Sequence, residues 1–532
     1  MLRTLNRPTA FVRDATGIVR SISPLQAFIT TVAVTNIGFG VATTYLPDLA
    51  IFPGTNLPLI FVLVLPFMLI HSALYSLMSI AMPRSGGDYV WTARILHPSL
   101  GTSLAFTNVI FNSIFLGFFA NTFVTYGLYS AFDTIGAITG NSSLINWSTS
   151  VFTNPLWITV IGSVLIAYLA VVMTVGTRSY LKHQIVYWII GMVGTLVAMG
   201  ILFTTTPTSF AANFNSYLGS YTTYQQIITT ANVSYTPGAV VFGAMALAWL
   251  ANNGYQYSGY FAGEVKQIKK SMFLSTMGNN VISTAIYALF ALALVSAVGE
   301  KWLNSVAHLT VTQASAWNIP VPPNPYFFAS LMGGNVVVAT IINLGLIAWA
   351  IIIIPSNWMA TTRIILAMGF DRVLPDRFAD VSPRFNTPVK SIIFVAIVTW
   401  LGMVATNYYG AVSANLNYTV VYTFILAIVS IAGAVFPFVR KEIYEKSLIA
   451  RYKAAGVPVV TIVGAISFLF FAFLSYTAGV NASIGGPNNV YSLIAAVIAF
   501  VGSGAIYYIA RAYHKRKSQI DIGLNFSEIP PE

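Results

Sequence analysis

The chain has 532 residues, of which 56% are hydrophobic and only 8% are charged, and its mean hydropathy is +0.75. A soluble globular domain carries about 25% charged residues, so this composition excludes a soluble protein and indicates an integral membrane protein. The chain has no cysteine, which excludes a disulfide framework, an iron–sulfur cluster and a thiolate metal site.

Twelve segments are long and apolar enough to cross a bilayer as helices, each of which needs about 20 residues. A β-barrel is disfavoured, because continuous apolar runs such as "FVLVLPFMLI" lack the strict alternation of barrel strands. The sequence therefore predicts an all-α polytopic membrane protein. Its predicted spans are residues 25–51, 58–82, 103–132, 155–175, 185–204, 238–262, 279–299, 335–362, 391–408, 413–438, 457–478 and 490–511.

The charges outside these spans predict the orientation. Residues 1–24 are basic and lack the short apolar core and cleavage site of a signal peptide, so they are predicted to form a cytoplasmic tail. With this tail inside, 25 of the 26 basic residues lie in cytoplasmic segments and only Lys301 lies outside, as the positive-inside rule requires. Residues 512–532 then form a second cytoplasmic tail. We expect a multi-pass plasma-membrane protein whose net charge of +12 contacts anionic lipid headgroups rather than nucleic acid.

Two predicted spans are interrupted by polar residues and glycine. The first contains "TNIGFGVATTYLP" (35–47) and the sixth contains "WLANNGYQYSGY" (249–260). Irregular backbone inside hydrocarbon persists only where protein or a water-filled cavity receives it. Two such interruptions at corresponding positions of two five-helix halves are typical of inverted-repeat transporters, whose substrate site lies at the breaks. The alternative is that Gly38, Gly40 and Gly254 only allow helices to pack closely.

Four further stretches carry a family resemblance. They are "MPRSGGDYVWTARILHPSLG" (82–101), "TRIILAMGFDRVLPDRFADVSPRFNTPVKSI" (362–392), "GYQYSGYFAGEVKQIKKS" (254–271) and "IGFGV" (37–41). They resemble motifs of the amino acid, polyamine and organocation (APC) permeases from helix 1 to helix 9. The resemblance implies a LeuT-type fold, with a ten-helix core at 25–438, inverted repeats at about 25–204 and 238–438, and two peripheral helices within 457–511. It also implies a secondary-active permease that moves amino acids by alternating access.

The predicted substrate site combines the two breaks with an Asn of the third span. Unwound backbone would present N–H groups at the start of each distal half-helix, where the dipole favours a carboxylate, and carbonyl groups that receive an ammonium group. No charged residue lies in the middle of a span, so we expect a neutral substrate side chain; cation–π contact with Tyr255 or Tyr257 leaves a cation open. The predicted substrate-binding residues are Asn36, Ile37, Gly38, Phe39, Gly40, Asn112, Asn253, Gly254, Tyr255 and Gln256.

Individual roles within the site follow mainly from the resemblance. Tyr255 is predicted to be an aromatic lid over the substrate. Ser356 is a candidate ligand for a sodium ion by the family pattern, and the alternative is a hydroxyl bonded to its own helix. Arg84 and Glu264 are predicted to form an ion pair that closes the cytoplasmic path. Gly191 stands where some relatives carry a lysine, which argues against a proton switch in helix 5.

Coupling and substrate identity stay open at this point. No cofactor or metal ion is indicated, a coupling ion would be H⁺ or Na⁺, and uncoupled amino-acid exchange is a further alternative. An enzyme is disfavoured because no pair of His or acidic residues lies at helical spacing within a span, and a channel would show rings of charge or repeated carbonyl filters. A same-fold carrier of a nucleobase or a polyamine is the closest rival. The sequence carries no signal for an oligomeric state.

Overall fold

A computed structural model describes residues 20–313, 316–410, 418–481, 484 and 490–529. The α-helices of this part are α1 Pro24–Thr35, α2 Ile37–Ile51, α3 Leu57–Ala81, α4 Asp88–Ile95, α5 Pro98–Thr122, α6 Tyr129–Thr139, α7 Ser142–Phe152, α8 Pro155–Val175, α9 Thr177–Phe203, α10 Pro207–Leu218, α11 Tyr224–Ala231, α12 Met245–Asn252, α13 Ile268–Phe273, α14 Asn279–Val298, α15 Glu300–Ala307, α16 Pro325–Gly333, α17 Val336–Phe370, α18 Val389–Tyr408, α19 Tyr418–Val439, α20 Lys441–Lys446, α21 Val459–Val480 and α22 Val490–Ser518.

Shorter elements join or interrupt these helices. The 3₁₀-helices are Phe242–Ala244, Tyr255–Tyr260, Ala262–Glu264, Asp376–Phe378 and Ile522–Phe526, and the π-helical turns are Phe123–Leu128, Leu274–Gly278 and His308–Thr312. Strands β1 Lys453–Ala454 and β2 Val457–Pro458 pair antiparallel in a single hairpin.

The chain is a mostly helical, polytopic membrane protein. Among the described residues, eleven helical spans are long and apolar enough to cross a membrane. They correspond to eleven of the twelve predicted spans. The remaining predicted span, 238–262, contains only the shorter apolar helix Phe242–Asn252, which is followed by 3₁₀ turns. The count of twelve crossings and the inverted repeat therefore stay predictions.

Several spans extend further than hydropathy predicts. The third runs over Pro98–Thr139 through a π-helical turn, the fifth begins at Thr177, and the eighth continues to Phe370. Charged residues at helix ends reduce the local hydropathy without ending the helix. Arg363 illustrates this effect, because its side chain is buried in α17 beside an acidic partner.

Short helices also lie between the predicted spans. They include α7, α10, α11, α15 and α16. The chain does carry a local signal for two of them: a side-chain cap followed by proline, as in Thr206 with Pro207 and Asn324 with Pro325. Such pairs are typical of helix starts, and they would have identified these helices from the sequence.

Two groups of packed helices matter for the site. Helix α3 packs against α12, α14 and α21, whereas α5 packs against α17, α18 and α22. Helix α4 packs against α5 and runs directly into it through His97. Helices α21 and α22, the predicted peripheral pair, lie on α19 and on α5 respectively. The two groups meet at the interrupted helices 1 and 6.

Candidate functional site

Helix 1 is broken at a single residue. Helix α1 ends at Thr35, Asn36 adopts a left-handed conformation with φ 52° and ψ 56°, and α2 begins at Ile37. The N–H of Gly40 donates to the carbonyl of Asn36 at 2.9 Å, which is the first turn of α2. The break is therefore made by Asn36 and not by the two glycines, because asparagine tolerates the left-handed region better than other residues with a side chain.

The two glycines of helix 1 serve close packing, which was the alternative explanation. A Cβ on Gly38 would overlap the indole ring of Trp349, and a Cβ on Gly40 would overlap the hydroxyl of Tyr287. That hydroxyl donates to the carbonyl of Ala251 at 2.8 Å, just before the break in helix 6. Gly40 thus leaves room for a tyrosine that connects the two interrupted helices.

Helix 6 is broken at Asn253 and Gly254, as predicted. Asn253 is extended, with φ −61° and ψ 133°, and Gly254 has φ 141°, which L side chains rarely adopt. A Cβ on Gly254 would lie 2.5 Å from the backbone nitrogen of Thr35. Both the conformation and the space therefore require glycine. Because Thr35 directly precedes the break in helix 1, the two breaks face each other.

A cavity of about 320 Å³ lies at the two breaks. Five predicted site residues line it: Asn36, Phe39, Gly40, Asn112 and Asn253. Its other walls are apolar and aromatic, with a few hydroxyl and amide groups, and none of the described residues that line it is charged. The lining residues that sequence reasoning missed include Thr43, Phe115, Phe119, Leu247, Asn357 and Tyr418. The volume is in the range of small-molecule sites, which is about 300–1,000 Å³.

Asn36 lines this cavity, and the polar atoms of its side chain are buried without a hydrogen bond to any described residue. The residue is 2% exposed, and neither its side-chain oxygen nor its side-chain nitrogen has a hydrogen-bond partner. The backbone N–H groups of Ile37, Gly38 and Phe39 form the first turn of α2, where a helix leaves its donors unpaired. Buried polar groups normally have partners, so this set is suited to a polar ligand group.

Other predicted residues do not line the cavity: Ile37, Gly38, Gly254, Tyr255 and Gln256. The Tyr255 hydroxyl lies 2.7 Å from Nδ1 of His71 instead, and Nε1 of Trp249 donates to it at 3.4 Å. Tyr255, the predicted aromatic lid, therefore lies away from the cavity, whereas Tyr257 lines the cavity and places its hydroxyl 3.3 Å from that of Tyr418. The 3₁₀ winding after the break, with three residues per turn, sets which tyrosine faces the cavity.

Two buried ion pairs join α4, α17 and the turn that follows the break in helix 6. Nε and Nη2 of Arg363 donate to the two carboxylate oxygens of Glu264 at 2.7 and 3.0 Å. Nη2 of Arg94 likewise contacts both carboxylate oxygens of Asp371, at 2.9 and 3.1 Å. We call this region of the bundle, defined by Arg94, Glu264, Arg363 and Asp371, the charged end.

The ion pair predicted between Arg84 and Glu264 is thus replaced by one between Arg363 and Glu264. Arg363 lies in α17 and donates hydrogen bonds to both carboxylate oxygens of Glu264, in the turn Ala262–Glu264. Nη1 of Arg84 donates to the neighbouring carbonyl of Pro83 at 3.0 Å. Glu264 therefore pairs with a residue of the eighth span, and its role as a gate stays a prediction.

Ser356 shows the bonding that was the alternative to an ion site. Its hydroxyl donates to the carbonyl of Ile352 in the same helix at 2.5 Å and accepts from Nε2 of Gln184 at 2.5 Å. In the described part of the chain, no group of three or more His, Asp or Glu side chains could hold a metal ion. Gly191, in α9, leaves room for the indole of Trp349, since a Cβ there would lie 2.8 Å from the ring.

Comparison with known proteins gives two matches. Residues 22–501 match the model of the family described as amino acid permease. A methylthioribose transporter of Bacillus subtilis (strain 168) is 26% identical over 229 residues, which cover 43% of this chain and 44% of that relative. The alignment with this relative therefore spans less than half the length of either protein.

Proposed function

Because the chain belongs to the amino acid permease family, and is thus a membrane transporter rather than an enzyme, we propose that it is a secondary-active carrier of neutral α-amino acids. The substrate binds in the cavity at the two helix breaks and crosses the plasma membrane by alternating access. The distribution of Lys and Arg supports a cytoplasmic location for the charged end and for both termini.

The observation that carries the proposal is the unpaired amide of Asn36 at the start of α2. An amide N–H and the first backbone N–H groups of a helix together form an anion site, to which the helix dipole adds a favourable potential. A substrate carboxylate would complete the hydrogen bonds that the protein leaves unmade. Among the described residues no cationic side chain lines the cavity, so binding depends on these dipoles.

The remaining lining fits the rest of an amino acid. The side-chain oxygen of Asn36 has no partner among the described residues, and a helix leaves its last backbone carbonyls without intrahelical partners, so the end of α1 is suited to an ammonium group. Phe39, Phe115 and Leu247 provide an apolar wall. A cationic or anionic side chain would have no opposite charge in this cavity and would remain unpaired at high cost. The site thus favours apolar, aromatic or small neutral side chains.

The arrangement of the two ends supports an outward-facing state. The cavity is lined by α2 from Phe39 to Pro47, which leads away from the break and from Pro24. The charged end lies on the other side and is closed by two buried ion pairs. Transport would require these pairs to separate while the opposite side closes.

A second candidate is an uncharged, sugar-like solute. The similarity to a protein named methylthioribose transporter favours it, and a cavity without charged side chains also suits such a molecule. The two candidates differ at Asn36, because a neutral solute brings no carboxylate to the start of α2.

Counterflow into proteoliposomes, screened across the standard amino acids with methylthioribose and nucleobases as competitors, tests the proposal. Asn36→Gly removes the amide while keeping a residue that tolerates φ 52°. We expect the dissociation constant of the amino acid to rise about 10- to 100-fold, the value of a hydrogen bond to a charged group. Asn232→Gly is the matched control, since Asn232 is also left-handed but exposed and remote from the cavity. Transport of no amino acid, or equal affinity in both variants, contradicts the proposal.

A further inference from the structure

Asp88 is a buried carboxylate that joins three elements of the charged end. It is 3% exposed and begins α4. The hydroxyls of Tyr75, from α3, and of Tyr260, from the 3₁₀ turn after the helix 6 break, both donate to its Oδ2, at 2.9 and 2.6 Å. A backbone hydrogen bond from Tyr89 adds a further donor. One carboxylate oxygen therefore links α3 and the 3₁₀ turn Tyr255–Tyr260 to α4.

The negative charge of Asp88 has no cationic partner. In the described part of the chain, no Lys, Arg or His forms an ion pair with it. The neighbouring cations are engaged elsewhere, since Arg94 pairs with Asp371 and Arg363 pairs with Glu264. Helix α5 carries no titratable side chain. The titratable or charged groups on the described elements around Asp88 are His71, Tyr75, Tyr89, Arg94, Tyr255, Tyr257, Tyr260, Glu264, Arg363, Asp371, Tyr418, Tyr422 and Arg440.

Burial of this unpaired charge favours the protonated form. It raises the pKa of Asp88 to about 6, although the hydrogen bonds from Tyr260, Tyr75 and Tyr89 act in the opposite direction. An aspartate in water has a pKa of about 3.9. Water reaching Asp88 would return its pKa toward that value, so the closed charged end binds a proton more tightly than the open one.

Asp88 also lies on the boundary that must open. Tyr260 belongs to the interrupted helix 6, and Tyr75 belongs to α3, which packs on that helix. Asp88 begins α4, which continues into α5 of the other group of helices. The Glu264–Arg363 pair crosses the same boundary, from helix 6 to α17. The ring of Tyr260 lies 5.4 Å from that of Tyr257, which lines the cavity. A path from the cavity to the charged end thus requires Tyr260 to leave Asp88.

We propose that Asp88 is a proton-binding site that couples proton movement to the opening of the charged end. Its carboxylate takes up one proton while the charged end is closed and releases that proton to water when Tyr75 and Tyr260 separate from it. One proton then crosses with the substrate in each cycle. The proposal rests on the carrier function above and adds H⁺ as the coupling ion.

A transport experiment tests the coupling. Wild-type protein in proteoliposomes should accumulate substrate when the solution at the outer face is more acidic. The quantity compared is the ratio of gradient-driven uptake to counterflow. In Asp88→Asn this ratio should be at least about tenfold lower than in wild type. Asp88→Glu should recover part of that ratio. Asp380→Asn is the matched control, because Asp380 forms an exposed pair with Lys390. An unchanged ratio in Asp88→Asn, or wild-type uptake that ignores the pH gradient, overturns the proposal.

A second measurement needs no substrate and separates failure of this proposal from failure of the carrier assignment. The chain has no cysteine, so Ser258→Cys adds a single thiol beside Tyr257 on the 3₁₀ turn, where the serine is buried and its hydroxyl has no partner. Ser79→Cys, equally buried, is a second reporter.

Thiol labelling, normalised to the unfolded protein at each pH, reports the open population. A shift of the Asp88 pKa between about 6 in the closed state and about 3.9 in the open state predicts about tenfold faster labelling at pH 7.5 than at pH 5. Asp88→Asn should remove this dependence. If both proteins show the same pH dependence, Asp88 is not the proton site, whatever the substrate is.

Discussion

The Glu264–Arg363 pair permits a quantitative test of how the charged end is closed. The two side chains are only 2% and 1% exposed. Glu264→Gln leaves the Arg363 guanidinium buried without its anion, and breaking a buried pair in this way costs about 3–5 kcal/mol. Asp380→Asn breaks a pair whose side chains are 60% and 52% exposed, which costs at most about 1 kcal/mol. The two substitutions are chemically matched, so the difference between them measures burial.

The assay is equilibrium unfolding of the purified protein in mixed micelles, with the Ser258→Cys labelling rate as a readout of opening. We expect Glu264→Gln to lose about 2–4 kcal/mol more than Asp380→Asn, and to label faster. Replacing both Glu264 and Arg363 by apolar residues should recover most of the loss. Reversing the charges of Glu264 and Arg363 together should restore more stability than reversing those of Glu264 and Arg84. Equal losses for the two single substitutions would refute the reasoning.

Two further predictions follow from single contacts. Gly40→Ala should lower substrate affinity about tenfold or more in isothermal titration, because its Cβ overlaps the Tyr287 hydroxyl. Adding Tyr287→Phe to the same chain should restore part of the affinity. Wild-type affinity in Gly40→Ala alone would contradict this prediction. The Arg511 guanidinium holds the pKa of Asp521 at about 2, so this pair stabilises the docked segment above the ordinary pKa of about 3.9 and loses that effect as the pH falls toward 2. The hydrogen-exchange protection factors of residues 521–529, each corrected for the intrinsic exchange rate at that pH, should be lower at pH 3 than at pH 5 in wild type and equal at both pH values in Asp521→Asn. A difference in protection that persists in the variant would contradict the assignment.

Composition predicted the spans well because hydropathy is a local property. Eleven of the twelve segments are present as long apolar helices in the described part of the chain, although several begin or end beyond the predicted bounds, as Ile268 does against the predicted start at 279. The ends differ most where a distant partner neutralises a charge, as Glu264 does for Arg363 in α17. The span around residues 238–262 contains only a short apolar helix because its second half winds as 3₁₀ turns. Hydropathy does not distinguish these windings.

The site was predicted less completely because its details depend on contacts across the chain. "TNIGFG" predicted a break, but residue type did not show that Asn36, rather than a glycine, adopts the left-handed conformation there. A side chain at position 40 is excluded by the hydroxyl of Tyr287, a residue far away in the sequence. Likewise the motif placed Glu264 at the gate, while its partner Arg363 lies 99 positions away. Residue type and spacing identify such positions, but they do not identify which side chain fills the neighbouring space.

The segment from Tyr255 to Glu264 connects the cavity to both contacts that close the charged end. Tyr257 lines the cavity, Tyr260 bonds Asp88, and Glu264 bonds Arg363. In 3₁₀ winding, residues three apart lie on the same side, so Tyr257 and Tyr260 stack along one face, with their rings 5.4 Å apart. A substrate that displaces Tyr257 therefore acts on Tyr260 through direct contact and on Glu264 through a short, fully buried turn. A ligand shifts a conformational equilibrium only by its differential affinity for the two states. This segment is where binding energy in the cavity can be used to separate Asp88 from its tyrosines and Glu264 from its arginine.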